Sequence, residues 1–262
     1  MLTLSFITNR KIFAMVAGSL GTKGRVAGFA AAVVMAVFIA WAASLAFVTV
    51  SLAAPSSAPV KAMTFQLVPF GDPDTCKDQC IRVISAEGEI TNATPDDFLS
   101  FVKKTAKDSR VRSVIFIHSP GGGVLASMRL GEMFRTFGAL AIVGRLKQGH
   151  AGEGPASYIP GAKCYSACVY ALIGAKKRIV PPTSLVGIHR MFTMEADVGA
   201  SATGKEHKVY GDREFIDKLA SYAKMMGVSS DLVWSAEKVD SEKIHIVTPK
   251  ELRRWHLGTQ RF

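Results

Sequence analysis

Residues 26–54 (VAGFAAAVVMAVFIAWAASLAFVTVSLAA) contain no charged side chain and almost no polar one. A bilayer-spanning helix needs about 20 apolar residues, and this run exceeds that. The apolar core of a cleaved secretory signal is shorter, ~7–15 residues. A retained signal-anchor is therefore expected over 26–54, although the small residues at Ser51-Leu52-Ala53 and Ser57-Ala58 would also suit a signal peptidase. Arg10, Lys11, Lys23 and Arg25 precede the run with no acid among them. The positive-inside tendency then places residues 1–25 in the cytoplasm and everything after the anchor across the inner membrane, in the periplasm or outside.

Roughly 200 residues lie beyond the anchor, enough to bury a core without help from metals. Residues 55–80 are rich in Pro, Ser and turn formers and read as a linker, leaving 81–262 as one domain. The net charge of the whole chain is +11. No zinc-finger spacing, aromatic RNA-binding signature or dense Lys/Arg helix accompanies it, so attraction to anionic headgroups is preferred over nucleic-acid binding. Cys76, Cys80, Cys164 and Cys168 all lie beyond the anchor, where an even number implies disulfides. Structural zinc favours C-x-x-C over these C-x-x-x-C pairs, and no metal is expected. In a regular helix, i and i+4 Cβ atoms stand ~5–6 Å apart, too far for a relaxed bridge at ~3.8 Å. A bridge within either pair needs a turn or helix start, and cross-pairing stays open.

Along the domain, Ile81–Ala86 reads as a strand, and Thr94-Pro95-Asp96-Asp97 as a helix start with cap, proline and first-turn acids. Val111–His118 is a β-branched apolar run typical of a buried strand. Leu125–Phe137 is helical, and Ala139–Val143 is a third strand. The alternation implies right-handed crossovers and a parallel sheet. Gly149–Gly161 reads as a surface insertion, Lys163–Gly174 as a buried helix, Lys176–Val180 and Leu185–His189 as strands, and Gly199–Gly204 as a loop. Asp212–Met226 reads as an amphipathic helix.

The chemistry concentrates in three places. Ser119-Pro120-Gly121-Gly122-Gly123 comes after a strand and opens a helix, where glycines turn the backbone tightly and expose N–H groups to an anion. It is neither a Walker A nor a dinucleotide loop. Ser166 stands between Cys164-Tyr165 and Ala167-Cys168, and His189 ends the strand LVGIH. In this order the elements resemble the proteolytic subunit of the Clp protease. That family has a Ser-Pro-Gly-Gly turn, a nucleophilic serine at the head of a buried helix and a strand ending in Ile-His. The C-x-S-A-C form is similar to exported bacterial relatives of that peptidase.

The resemblance implies a ClpP/crotonase-like α/β fold with a parallel sheet and crossover helices, which the apolar run at 26–54 would place behind one transmembrane helix. It implies a serine peptidase that uses no cofactor, with a peptide or protein substrate and a tendency to homo-oligomerise. Ser166 would be the nucleophile and His189 the base, with oxyanion donors from Gly122, Gly123 and Ala167. The triad acid fits less well. The family places it just before a helix like Val247–Leu252, where this chain has Ile244, so Asp240 is the preferred acid and Glu242 the alternative. A Ser-Lys dyad through Lys176 or Lys177 is disfavoured, since a general-base lysine needs burial. The competing class is a non-catalytic binding module on the same scaffold, holding a peptide or lipid-like ligand.

Overall fold

The computed structural model describes residues 61–76, 79–147, 155–196 and 206–261. The chain divides into two units, Met1–Ser56 and Ser57–Phe262, and all described residues belong to the second. The anchor expected at 26–54 lies outside them; among the described residues no helix is long and apolar enough to cross a membrane.

The stretch read as linker holds a strand. In β1 (Thr64–Phe70) Val68 is fully buried and the chain runs antiparallel to β2 (Ile81–Glu87), from Thr64↔Glu87 to Phe70↔Ile81. Pro69 has no N–H for a ladder, and it is tolerated because β1 is the outermost strand of its sheet. That proline and the surrounding Pro/Ser content masked the strand in the sequence. Between these strands, α1 (Pro73–Cys76) delivers Cys76 to a disulfide with Cys80.

Next come α2 (Thr94–Thr105), β3 (Val111–His118), α3 (Val124–Thr136) and β4 (Leu140–Val143). Thr94 is the first residue of α2 and not its cap; its hydroxyl accepts the Thr91 N–H at 2.9 Å. The Gly149–Gly161 region is flanked by a hairpin, β5 (Arg145–Lys147) against β6 (Ser157–Ile159), and residues 148–154 lie outside the described part. After the hairpin come β7 (Lys163–Tyr165), α4 (Cys168–Gly174), β8 (Lys177–Ile179) and β9 (Leu185–Ile188). The strands β2, β3, β4 and β8 run parallel in the order β1-β2-β3-β4-β8, the mixed α/β architecture expected from the alternation. An antiparallel hairpin of β10 (Phe192–Ala196) and β11 (Glu206–Tyr210) is next, framing the expected Gly199–Gly204 loop. The chain closes with α5 (Arg213–Met225), α6 (Asp231–Ala236), β12 (His245–Ile246) and α7 (Pro249–Arg254). A second sheet has the order β12-β9-β7, with β7 and β9 parallel.

The segment 163–174 is not one helix. Lys163, Cys164 and Tyr165 pair with Leu185, Val186 and Gly187, and only Cys168–Gly174 is helical. A short apolar run does not reveal its period, and tertiary pairing decides. All seven residues of α4 are buried, which accounts for a helix apolar on every side. It crosses α3 where two glycines meet: a Cβ on Gly174 would land on the Gly131 backbone. Fully buried Tyr222 of α5 closes this crossing, its hydroxyl donating to the Tyr170 carbonyl at 2.9 Å. Two helices late in the chain, α5 and α7, carry side-chain caps. Asp212 accepts the Phe215 N–H at 2.8 Å, and Thr248 forms a reciprocal capping box with Glu251.

Candidate active site

Ser166 sits in the turn between β7 and α4 with φ of +56°, the left-handed region that a non-glycine residue occupies only at a cost of about 1–3 kcal/mol. Its N–H donates to the Gly187 carbonyl at 2.9 Å, extending the β7–β9 pairing by one step. His189 comes directly after β9. The serine and the histidine thus occupy the carboxyl ends of neighbouring parallel strands, ~4.8 Å apart in the ladder direction. Ser166 is half-buried and His189 is 8 % exposed. Their side chains make no hydrogen bond to each other, and catalytic bonds of this kind commonly tighten only when substrate arrives.

The strained turn is held from both sides. The disulfide Cys164–Cys168 brackets Ser166, with Cα atoms 5.3 Å apart. The objection to an i,i+4 bridge does not apply here, because the intervening residues are a strand end and a helix start. Pairing is therefore within each Cys-x-x-x-Cys unit, not across them. The glycine turn packs on the other side. The Ser119 N–H donates to the Lys163 carbonyl at 2.8 Å and its carbonyl accepts the Tyr165 N–H at 3.1 Å, fixing the turn against β7. Ile90 clamps the far edge: its N–H donates to the Gly121 carbonyl and its carbonyl accepts the Gly123 N–H, both at 2.8 Å. Gly121 (φ +119°) lies so near that a Cβ there would stand 2.8 Å from Ser166 Cβ.

The expected oxyanion donors divide accordingly. Gly123 has its N–H committed to Ile90, whereas the N–H groups of Gly122 and Ala167 find no partner among the described residues. Gly122 is exposed, with φ of +129°. Buried backbone N–H groups are nearly always paired, so the unpaired one on fully buried Ala167 is notable beside Ser166.

His189 Nδ1 lies 2.8 Å from the Arg190 carbonyl oxygen. A carbonyl can only accept, so Nδ1 carries the proton and Nε2 is left as the free basic nitrogen. Neither expected acid makes a hydrogen bond to this histidine. Asp240 accepts the Glu242 N–H at 2.9 Å, Glu242 pairs with Lys208 Nζ, and both acids are exposed or nearly so. Lys176 and Lys177 are exposed beside β8, away from the β7–β9 strand ends. The orienting carbonyl of Arg190 was invisible to motif reading, since any residue supplies one.

A cavity of about 790 Å³ begins at Tyr165 and Pro120 next to the turn, but neither Ser166 nor His189 lines it. Its wall carries His118, Lys61, Arg145 and Lys163. Arg145 is paired with Glu87 at 3.0 Å. Burial pushes the His118 imidazole down, and Arg145 and Lys163 act in the same direction against Glu87. Its Nδ1 accepts the Lys163 N–H at 3.0 Å.

No family model matches this chain. No curated protein matches it either. Solved structures do. One is the 1510-N membrane-bound stomatin-specific protease as a serine-to-alanine mutant, with a TM-score of 0.44 and 17 % identity over 66 % of this chain and 76 % of that one. The lysine-to-alanine mutant of the same protease, in complex with a substrate peptide, gives 0.45 and 18 % over 69 % and 74 %. A third is the 1510-N membrane protease specific for a stomatin homolog from Pyrococcus horikoshii, at 0.41 and 18 % over 68 % and 72 %.

Proposed function

We propose that this chain is a serine peptidase of the Clp-peptidase/crotonase type, tethered through residues 26–54 and acting on peptides outside the cytoplasm. The observation that carries the reading is the left-handed backbone of Ser166 in a strand-to-helix turn, beside a strand that ends in a histidine with a free Nε2. Strain of this kind clusters at reactive sites and persists only where the surrounding structure holds it.

In the proposed cycle Ser166 Oγ attacks a peptide carbonyl carbon while its proton passes to His189 Nε2. The N–H groups of Gly122 and Ala167 receive the oxyanion, and removal of one such donor is worth on the order of 3 kcal/mol in barrier. Collapse breaks the C–N bond as His189 returns the proton to the leaving amine. Water, deprotonated by the same nitrogen, then attacks the acyl ester, releasing the acid and restoring Ser166.

The test is labelling of the full chain by a fluorophosphonate probe. Wild type is expected to label, with Ser166→Ala silent and His189→Ala at least ~100-fold slower. Absence of labelling in wild type, or equal labelling of Ser166→Ala, favours the non-catalytic binding module instead.

A further inference from the structure

Three separate stretches of the chain bring cations to the cavity of about 790 Å³ beside the Ser166 turn. Its wall holds Lys61 from ahead of β1, Arg145 and Lys147 from β5, and Lys163 at the start of β7. Among the described residues of that wall Glu87 is the single acid, and it is already engaged. Its Oε2 accepts from Arg145 Nε at 3.0 Å, and its Oε1 accepts from the Ser85 hydroxyl at 3.5 Å. Lys61, Lys147 and Lys163 form no ion pair among the described residues. Like charges gathered together disfavour the compact state, so the cluster is a poor structural device. A cleft lined by one sign of charge does, however, focus its field and draw in the opposite charge.

His118 adds a neutral donor to the same wall. Its Nδ1 accepts the Lys163 N–H at 3.0 Å, so the ring proton is on Nε2. Burial, first, and then Arg145 push this imidazole down against the pull of Glu87, which keeps the ring uncharged at neutral pH.

The cavity shares its rim with the turn. Tyr165 directly precedes Ser166 and Pro120 directly precedes Gly121, and both line the cavity. The Tyr165 ring packs on Gly187, where a Cβ would lie 2.7 Å from Tyr165 Cδ1, two residues before His189. Adjacent Cα atoms are ~3.8 Å apart, and an extended peptide advances ~3.3 Å per residue. A side chain one or two residues from a carbonyl held at Ser166 therefore reaches this wall. The volume falls in the range of about 300–1,000 Å³ usual for ligand clefts, and Leu146 and Ile159 offer apolar surface to a side-chain stem.

We propose that this cavity is the specificity pocket of the site and takes an acidic side chain, aspartate or glutamate, of the bound peptide. The proposal deepens the peptide-binding reading of the Ser166 turn and rests on it. Lys61 and Lys163 supply ammonium groups to the carboxylate and His118 Nε2 supplies the neutral donor; none of them takes part in bond breaking. Because the rim is shared with the turn that receives the substrate carbonyl, the anion is one that the substrate itself carries.

The experiment uses the full chain as Ser166→Ala in non-ionic detergent micelles, so that a bound peptide is not cleaved. Binding of labelled alanine peptides with one central Glu, Gln or Lys is read by fluorescence anisotropy. The Glu peptide is expected to bind about tenfold more tightly than the Gln peptide, with the Lys peptide weakest. Lys61→Met and Lys163→Met are each expected to cut the Glu preference by about two- to fivefold. Lys177→Met, the same loss of charge within β8, leaves the preference in place. Should one cavity variant fail to fold, the other decides. Equal affinity for the Glu and Gln peptides, or an equal loss of preference in Lys177→Met, overturns the pocket. Displacement of the Glu peptide by glycerol phosphate at a lower concentration than by its own unlabelled form also overturns it, in favour of a lipid headgroup. Fluorophosphonate labelling of the wild type keeps the two readings apart. Labelling without a Glu preference sinks the pocket and spares the peptidase, and a Glu preference without labelling upholds the pocket and sinks the peptidase.

Discussion

The N–H of Ser166 donates to the carbonyl of Gly187 at 2.9 Å, so the strained turn and the strand that delivers His189 are joined by a backbone bond. The relative position of the two side chains is thereby set by sheet register, with no flexible loop between them.

Strain at Ser166 predicts a trade between stability and reactivity. Ser166→Gly removes the left-handed penalty and is expected to raise unfolding free energy by up to ~1 kcal/mol while abolishing labelling. Ser166→Ala keeps the Cβ, abolishes labelling equally and gains nothing. Denaturant melts of the two variants side by side check this; identical midpoints would mean the turn stores no strain.

The two disulfides close loops of the same length but serve different ends. By chain entropy each is worth about 2 kcal/mol. Cys164→Ser/Cys168→Ser is expected to lose that stability and most of the labelling rate, because the bridge encloses Ser166. Cys76→Ser/Cys80→Ser should lose similar stability with the labelling rate preserved. Matched thermal melts and labelling time courses separate the two cases.

At the α3–α4 crossing, Gly131→Ala would push a methyl into the Tyr222 hydroxyl and the Tyr170 carbonyl. Overpacking of this kind costs about 1–3 kcal/mol, and with the Tyr222–Tyr170 hydrogen bond disturbed the upper end is expected. A Tm drop of several degrees in a thermal scan is the readout. Gly138→Ala, with nothing within 4 Å but φ of +72°, serves as the control for backbone strain alone.

His118 gives the domain a pH dependence of definite sign. Burial, first, and then Arg145 hold its imidazole below the ordinary value near ~6.5, so the unfolded chain takes up the proton before the folded one does. Stability contributed here is complete above the ordinary value and is lost as pH falls through it toward the folded value. His118→Asn can still accept the Lys163 N–H and does not titrate. Urea midpoints between pH ~7.5 and ~5 should therefore fall less in the variant than in wild type; equal slopes would show that His118 is not the group responsible.

The parallel strands around Val111–His118 and Leu185–Ile188 were legible because buried parallel strands are apolar throughout and end on turn residues. His189 stands directly after such a run, whereas the strand before Ser166 was read as part of a helix. β1 was not legible, since Pro69 is admissible only at a sheet edge, and edge position is a property of the assembled sheet. The start of the 163–174 segment misled because three residues cannot display a period, and the pairing partner lies about twenty residues later. The expectation of Asp240 arose because register to a known motif looks for a side chain that touches the histidine.

The hydrogen bond from His189 Nδ1 to the Arg190 carbonyl has a genetic consequence. Its acceptor is written into the main chain, so every codon at position 190 encodes it. Substitutions that would erase a side-chain acid leave the imidazole tautomer unchanged, and alanine scanning is blind to the contact. Only a change to the main chain itself, such as an ester in place of the 190–191 amide, would weaken the carbonyl as an acceptor. The orientation of the histidine is accordingly little exposed to mutation.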